Sequence, residues 1–233
     1  MQRWLVMNRQ TQRYYDELVG IETAHALSTD SKSNAFKLEP FNTQFFINNT
    51  PWVINSSSKV LGYVNQTEKV SHISSAVINK QSKGTSWGAL YATFEQPIDK
   101  IKQEQNGFIL TRTLWKEGKE VSEKNLKVGD KITIKLTLVA DNNYHFVEIS
   151  DERASCFEPV SAISGYRNGA YCAVNNTKTH FFFNSINKGT HVITFDYYID
   201  KAGTYTLAPC KVQCAYAPSF AARTSAQVVT VAP

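Results

Sequence analysis

The segment Lys131–Ala140 reads K-I-T-I-K-L-T-L-V-A. Ile132, Ile134, Leu136 and Leu138 fall on one parity, and Thr133, Lys135 and Thr137 on the other. A sustained period of two excludes an amphipathic helix, whose apolar positions recur every three or four residues. It demands a β-strand with one apolar and one wetted face. Gly129–Asp130 opens this strand, and Asp141–Asn142–Asn143 has the side chains that close turns. An apolar sheet face must be covered by a second layer. The rest of the chain has to supply it.

Further strands follow the same logic. Phe108–Trp115 alternates Phe108 and Leu110 against Ile109 and Thr111, then turns through Gly118. Tyr144–Ser150, Thr179–Phe183, Thr190–Ile199, Thr204–Tyr216 and Gln227–Val231 complete the set. Glycine turns at Lys188–Gly189 and Ala202–Gly203 precede two of them. Short strands separated by turn signals predict an antiparallel β-sandwich for the C-terminal part. Upstream, Thr43–Asn48 predicts a strand before the turn Asn48–Asn49–Thr50–Pro51, and His72–Asn79 alternates around Ile73, Ala76 and Ile78. Ser86–Phe94, with Trp87, Leu90, Tyr91 and Phe94, reads as a strand buried on both faces.

The first thirty residues differ. Met1–Arg9 and Asp16–Ser28 are helical in character, with Leu18, Ile21, Ala24 and Leu27 at spacings of three. Asp16 is placed to cap the second helix, with Glu17 in its first turn. Residues 10–15 read as a connection, and Thr29–Asn34 as a polar linker. The fold class is therefore mainly β: a C-terminal sandwich, a smaller β-region and a short helical N-terminal segment.

Composition narrows the function. Hydrophobic residues make up 42% and aromatics 12%, enough for packed cores and too much for a disordered chain. No run approaches the roughly 18–20 apolar residues of a membrane helix. Arg3 and Arg9 bracket only Trp4–Leu5–Val6–Met7, too short for a secretory signal, so the chain reads as soluble. The net charge of +5 is spread out, with Lys and Glu interleaved as in Lys116–Glu117–Gly118–Lys119–Glu120. A phosphate-binding face needs clustered cations, so nucleic acid is not expected as a partner.

Chemistry-bearing motifs are sparse. P-loop, dinucleotide, HExxH and GxSxG signatures are all missing. The histidines at 25, 72, 145, 180 and 191 are scattered, and His191 shares the parity of Ile193 and Phe195, as a core or edge residue would. Cys156, Cys172, Cys210 and Cys214 lack metal-ligand spacing. On one strand, Cys210 and Cys214 would lie about 13 Å apart, beyond the reach of a disulfide. Buried free thiols and a single bridge between other strands both remain open.

No cofactor, metal or catalytic residue is expected. Asp151–Glu152–Arg153 has two readings: a carboxylate pair for a cation or substrate, or a strand end where Arg153 pairs with a carboxylate and fixes a crossing loop. Tyr166 with Tyr171, or Tyr197 with Tyr198, are candidate stacking platforms for a glycan; alternation sends Tyr197 and Tyr198 to opposite faces.

Four strings carry a resemblance. Lys124–Asn–Leu–Lys–Val–Gly–Asp–Lys, Asp151–Glu–Arg–Ala–Ser–Cys–Phe–Glu–Pro, Ser164–Gly–Tyr–Arg and Ala215–Tyr–Ala–Pro–Ser–Phe stand in this order. They resemble the C-terminal end of bacterial alpha-2-macroglobulin-like proteins. Thr85–Ser–Trp–Gly–Ala–Leu–Tyr resembles the segment preceding that terminal domain, and Arg3–Trp–Leu with Thr11–Gln–Arg–Tyr the end of the family's helical thioester-type domain.

The resemblance implies three parts. Residues 1–34 would be the last helices of an α/α toroid, 35–97 a CUB-like β-region, and 98–233 the terminal receptor-binding-like sandwich. It marks Trp87, Asp151, Arg153, Cys156, Glu158, Gly165, Tyr166, Tyr216 and Pro218 as motif residues, expected to be structural.

Family members trap proteases, and the bacterial ones face the periplasm or the cell surface. The implied role is a non-catalytic interaction module whose partners are the other domains of a parent inhibitor and, through it, proteases. The Cys–x–x–Gln thioester motif does not occur in the chain, since Gln103–Glu104–Gln105 has no cysteine before it. A bait region and a lipoprotein signal are likewise not found. The alternative is an independent surface-adhesion or glycan-binding sandwich. Residues 35–97, with Phe45, Phe46, Trp52, Trp87 and Tyr91, are expected to be covered by the N-terminal helices or by self-association.

Overall fold

The structure, a computed structural model, describes residues 16–29, 43–54, 59–60, 63–81, 88, 90–93, 95–167 and 169–233. They fall into two compact units, 16–92 and 93–233.

In the first unit, helix α1 spans Glu17–Thr29. Asp16 caps it as the sequence predicts, its Oδ1 accepting the Leu18 N–H at 2.8 Å. Leu18 and Ile21 are 67% and 63% exposed, so these two apolar positions face solvent. Strands β1 (Thr43–Ile47), β2 (Thr50–Trp52) and β5 (Ala76–Lys80) form a sheet of order β2-β1-β5, with β3 (Lys59–Val60) and β4 (Tyr63–Val64) paired apart. Asn48 and Asn49 have positive φ in the β1–β2 turn, the conformation asparagine tolerates best among residues with a Cβ. No residue of 16–92 whose side chain is described is buried. Leu90 and Tyr91 are exposed and outside any strand, which corrects the doubly buried strand expected at Ser86–Phe94.

The second unit is the predicted sandwich. Its strands are β6 (Glu104–Asn106), β7 (Phe108–Lys116), β8 (Lys119–Val121), β9 (Leu126–Lys127), β10 (Lys131–Ala140) and β11 (Tyr144–Glu152). Then come β12 (Phe157–Pro159), β13 (Gly165–Arg167), β14 (Ala170–Val174), β15 (Lys178–Ile186) and β16 (Gly189–Ile199). Strands β17 (Gly203–Leu207), β18 (Lys211–Cys214), β19 (Ala217–Arg223) and β20 (Gln227–Ala232) close the chain. One sheet has the order β12-β16-β10-β7-β8, the other β13-β14-β15-β11-β18-β19-β6, and a small third sheet runs β17-β20-β9.

Strand β10 occupies the limits read from its alternation, and Ile132, Ile134, Leu136 and Leu138 are all fully buried. Burying four such side chains contributes on the order of 1.5–3 kcal/mol each. Glu117 and Gly118, both at positive φ, make the two-residue turn between β7 and β8, where Lys116 faces Lys119. The predicted strand Thr204–Tyr216 is instead two strands in different sheets, β17 and β18, because Pro209 interrupts the ladder between them.

Candidate functional site: a buried ion pair and an exposed aromatic row

Arg112 sits on β7 at the inward parity of Phe108, Leu110 and Leu114. Asp151 sits on β11 at the inward parity of Val147 and Ile149. The two strands belong to different sheets, so the pair meets in the middle of the sandwich: Arg112 Nη1 donates to Asp151 Oδ1 at 2.7 Å, with both side chains sealed from solvent. Arg112 Nε and Nη2 donate to Gln227 Oε1 at 3.3 and 3.1 Å, and Gln227 Nε2 in turn donates to Glu123 Oε1. Gln227 opens β20. One guanidinium thus ties all three sheets together.

The sequence reading had Arg153 pair with a carboxylate, and among the described residues no such ion pair is found. Arg153 lies over the Tyr197 ring at 5.8 Å and reaches the Lys178 carbonyl with Nη2 at 3.5 Å. It does not bond Asp151. The signal for Arg112 was present: a charge at an inward position between Leu110 and Leu114 requires a buried partner.

Burial pushes the Asp151 carboxyl up from its ordinary value, opposed by the Arg112 charge. Burial, then the Asp151 charge, likewise raises the Tyr197 hydroxyl to about 12, and Tyr197 shares a 3.3 Å hydrogen bond with Thr179. Cys210 is fully buried beside Asp151, its thiol held well above the usual range by burial first. Asp151 Oδ2, Arg153 Nε and Arg153 Nη1 are buried with no hydrogen-bond partner among the described residues. A sealed cation–carboxylate pair flanked by neutral thiol and phenol has no route to substrate. This cluster holds layers together.

All four cysteines are buried free thiols. Burial raises Cys156 to about 11 and Cys214 to about 12. Among the described residues, no group of three or more His, Cys, Asp or Glu is arranged to hold a metal.

The other motif residues scatter. Glu158 and Pro218 are exposed, Gly165 is half-buried opposite Cys172, and Trp87 lies outside the described residues. Tyr216 is 74% exposed and meets Phe146 edge-on at 5.0 Å.

On the outer face, register assembles a row that the sequence showed only in part. Tyr166 on β13 lies opposite Tyr171 on β14, and Tyr171 opposite Phe182 on β15. The two tyrosine rings meet edge to face at 5.2 Å, and Tyr166 is 83% exposed. His180 stacks on Phe182 at 5.6 Å and is fixed by Glu148 at 2.6 Å.

Residues 107–219 match the sequence family of the bacterial alpha-2-macroglobulin MG10 domain. The fold agrees. Salmonella alpha-2-macroglobulin reacted with methylamine superposes with a TM-score of 0.51 at 21% identity. Native Escherichia coli alpha-2-macroglobulin, spanning MG7 to the C-terminus, gives 0.53 at 15%. The native conformation of the E. coli protein gives 0.53 at 16%.

These superpositions take in 57–59% of this chain. They take in only 10% of the two longer chains and 25% of the MG7-to-C-terminus piece. No curated protein matches the sequence. The MG10 match spans both halves of the ion pair, the Asp151–Pro159 string and Tyr166.

Proposed function

We propose that this chain works as a non-catalytic interaction module, the C-terminal part of an alpha-2-macroglobulin-like, protease-trapping inhibitor. The MG10 match is the observation that carries the reading. Its supports are the sealed ion pair, the buried thiols, and a preceding region, 16–92, in which no residue whose side chain is described is buried. A segment without its own buried core is suited to packing against other domains. In this proposal residues 1–34 end a toroid, 35–97 contribute to a CUB-like domain and 98–233 form the terminal sandwich. The site of action is the cell envelope, facing the periplasm or exterior. Other domains of the parent protein are the immediate partners and proteases the indirect ones, with pairing between copies through 35–97 as a further contact.

The test uses the chain alone. Added in excess to trypsin or elastase, it should leave casein cleavage unchanged, and methylamine treatment should leave its intact mass unchanged. Inhibition by the isolated chain, or a methylamine adduct, would overturn the proposal.

The row Tyr166–Tyr171–Phe182 favours a second reading, a glycan-stacking face on the sandwich. It requires a signal on a glycan array that disappears in Tyr166→Ala. A flat array removes it.

A further inference from the structure

The two main sheets do not end together. Beyond β15, the seven-stranded sheet continues through β14 and β13. Beyond β16, the facing sheet has only the three residues of β12, opposite Tyr197–Ile199. Among the described residues, Gly189–Asp196 of β16 therefore have a strand on one side only, β10. Parity says which groups are left. Ile199 bonds toward β10, through Ile199 N to the Asp130 carbonyl at 2.9 Å, whereas the Asp196 carbonyl accepts from Val160 N on the β12 side at 3.1 Å. Even-numbered residues thus turn their backbone groups outward. Thr190, Val192 and Thr194 each present an N–H and a C=O to the open edge, unpaired among the described residues.

Beside this edge is a cavity of about 250 Å³, whose apolar floor includes Cys172, Phe181, Phe183, Ile193 and Phe195. That is smaller than the roughly 300–1,000 Å³ of small-molecule sites, but it suits one or two side chains. In these sheets the other edges, β8, β6 and β13, are three residues long and carry Lys119 and Glu120, Glu104, and Arg167. Such shortness and charge are what keep edges from pairing. The Thr190–Phe195 stretch carries no charged residue and no proline.

We infer that this edge receives one extended segment of a partner polypeptide, which pairs with β16 as an added strand and sets alternate apolar side chains into the cavity. A second folded copy does not fit. The vacant lane lies over a shelf two strands wide, about 10 Å at the usual strand spacing. A paired sandwich would have to put its own seven-stranded sheet where β14 and β13 already stand. A lone strand has no such layer.

Charge narrows the segment further. Asp196 is committed to Lys131 at 2.9 Å and Thr133 at 2.7 Å, while exposed Arg167 at the cavity mouth bonds, among the described residues, a backbone carbonyl alone, that of Ile163. The segment therefore carries an acidic residue flanking its apolar positions. This inference stands on the sandwich geometry and does not depend on the trapping role.

The experiment pans a random peptide library on the whole chain, then measures each enriched peptide by fluorescence anisotropy. Val192→Pro deletes one outward N–H and leaves the β10 ladder intact, an edge position proline tolerates. Val192→Ala keeps the N–H. Enriched peptides should alternate apolar residues around an acidic one, bind Val192→Pro at least about tenfold more weakly, and bind Val192→Ala as they bind wild type. Thermal melts of both variants establish that they are folded. Methylating alternate peptide amides should also abolish binding. Peptides that bind Val192→Pro as tightly as wild type, or a library that enriches nothing, would overturn the inference.

Discussion

Replacing Arg112 by Met strips Asp151 of its counter-charge without opening a large hole. Asp151 is about 1% exposed at its side chain, Oδ2 already has no partner, and the guanidinium supplies the hydrogen bond to Oδ1. Removing one half of a buried pair costs about 3–5 kcal/mol, because the other half remains an uncompensated charge. Gln227 Oε1 also loses both its donors, adding about 1 kcal/mol. Against a total of about 5–15 kcal/mol for a domain, such a loss is a large fraction. At roughly 3–5 °C per kcal/mol for a sandwich of this size, Tm falls by about 12–30 °C.

The paired replacement Arg112→Met with Asp151→Leu removes both charges and should return to within about 1 kcal/mol of wild type. Urea unfolding followed by far-UV circular dichroism measures both variants and the wild type. The pH dependence has a definite sign. In Arg112→Met, burial raises the folded Asp151 value without the Arg112 charge to oppose it, so the folded state keeps its proton when the unfolded state has released it. The deficit should therefore be smallest below about pH 4 and grow as pH rises toward neutrality. An Arg112→Met loss below about 1 kcal/mol, or a deficit that shrinks with rising pH, would refute the argument.

Other positions make separate claims. Gly107 has φ 76°, and a Cβ there would collide with the Tyr144 and Phe220 rings, so Gly107→Ala should cost about 1–3 kcal/mol in the same urea assay. The four thiols are buried and raised, so Ellman's reagent near pH 8 should titrate none within minutes natively and all four in guanidinium; rapid native labelling would contradict the packing. The Lys131 hydrogen bond lowers the Asp196 carboxyl, so its contribution exists above the ordinary carboxylate range and is lost as pH falls through the lowered value. Asp196→Asn should flatten the acid limb of the stability curve below about pH 4; an unchanged limb would mean that the pair contributes nothing.

How much of this was legible depended on range. Strand β10 could be read to the residue because its alternation is complete and both flanks carry turn chemistry. Strands β17 and β18 merged in the reading because apolar residues continue through Leu207–Ala208–Pro209, although the proline was a local signal against one continuous strand. Asp151 was singled out, but its partner lies 39 residues away on another sheet, and nothing local distinguishes Arg112 from Arg153 once the inward parity of Arg112 is overlooked. Phe182 joined the Tyr166–Tyr171 row only through strand register, a property of pairing that no single segment contains. The vacant lane beside β16 depends on two sheets ending at different places, and a list of strands does not reveal that.

The central proposal is that a self-sufficient sandwich follows a region that packs on other domains. Limited proteolysis of the whole chain, read by intact mass, tests it most directly. Cleavage should come first between Thr29 and Gln96, leaving a resistant fragment that begins near Asn106 and keeps Arg112, Asp151 and Gln227 together. Digestion of the sandwich while residues 1–97 survive would contradict it.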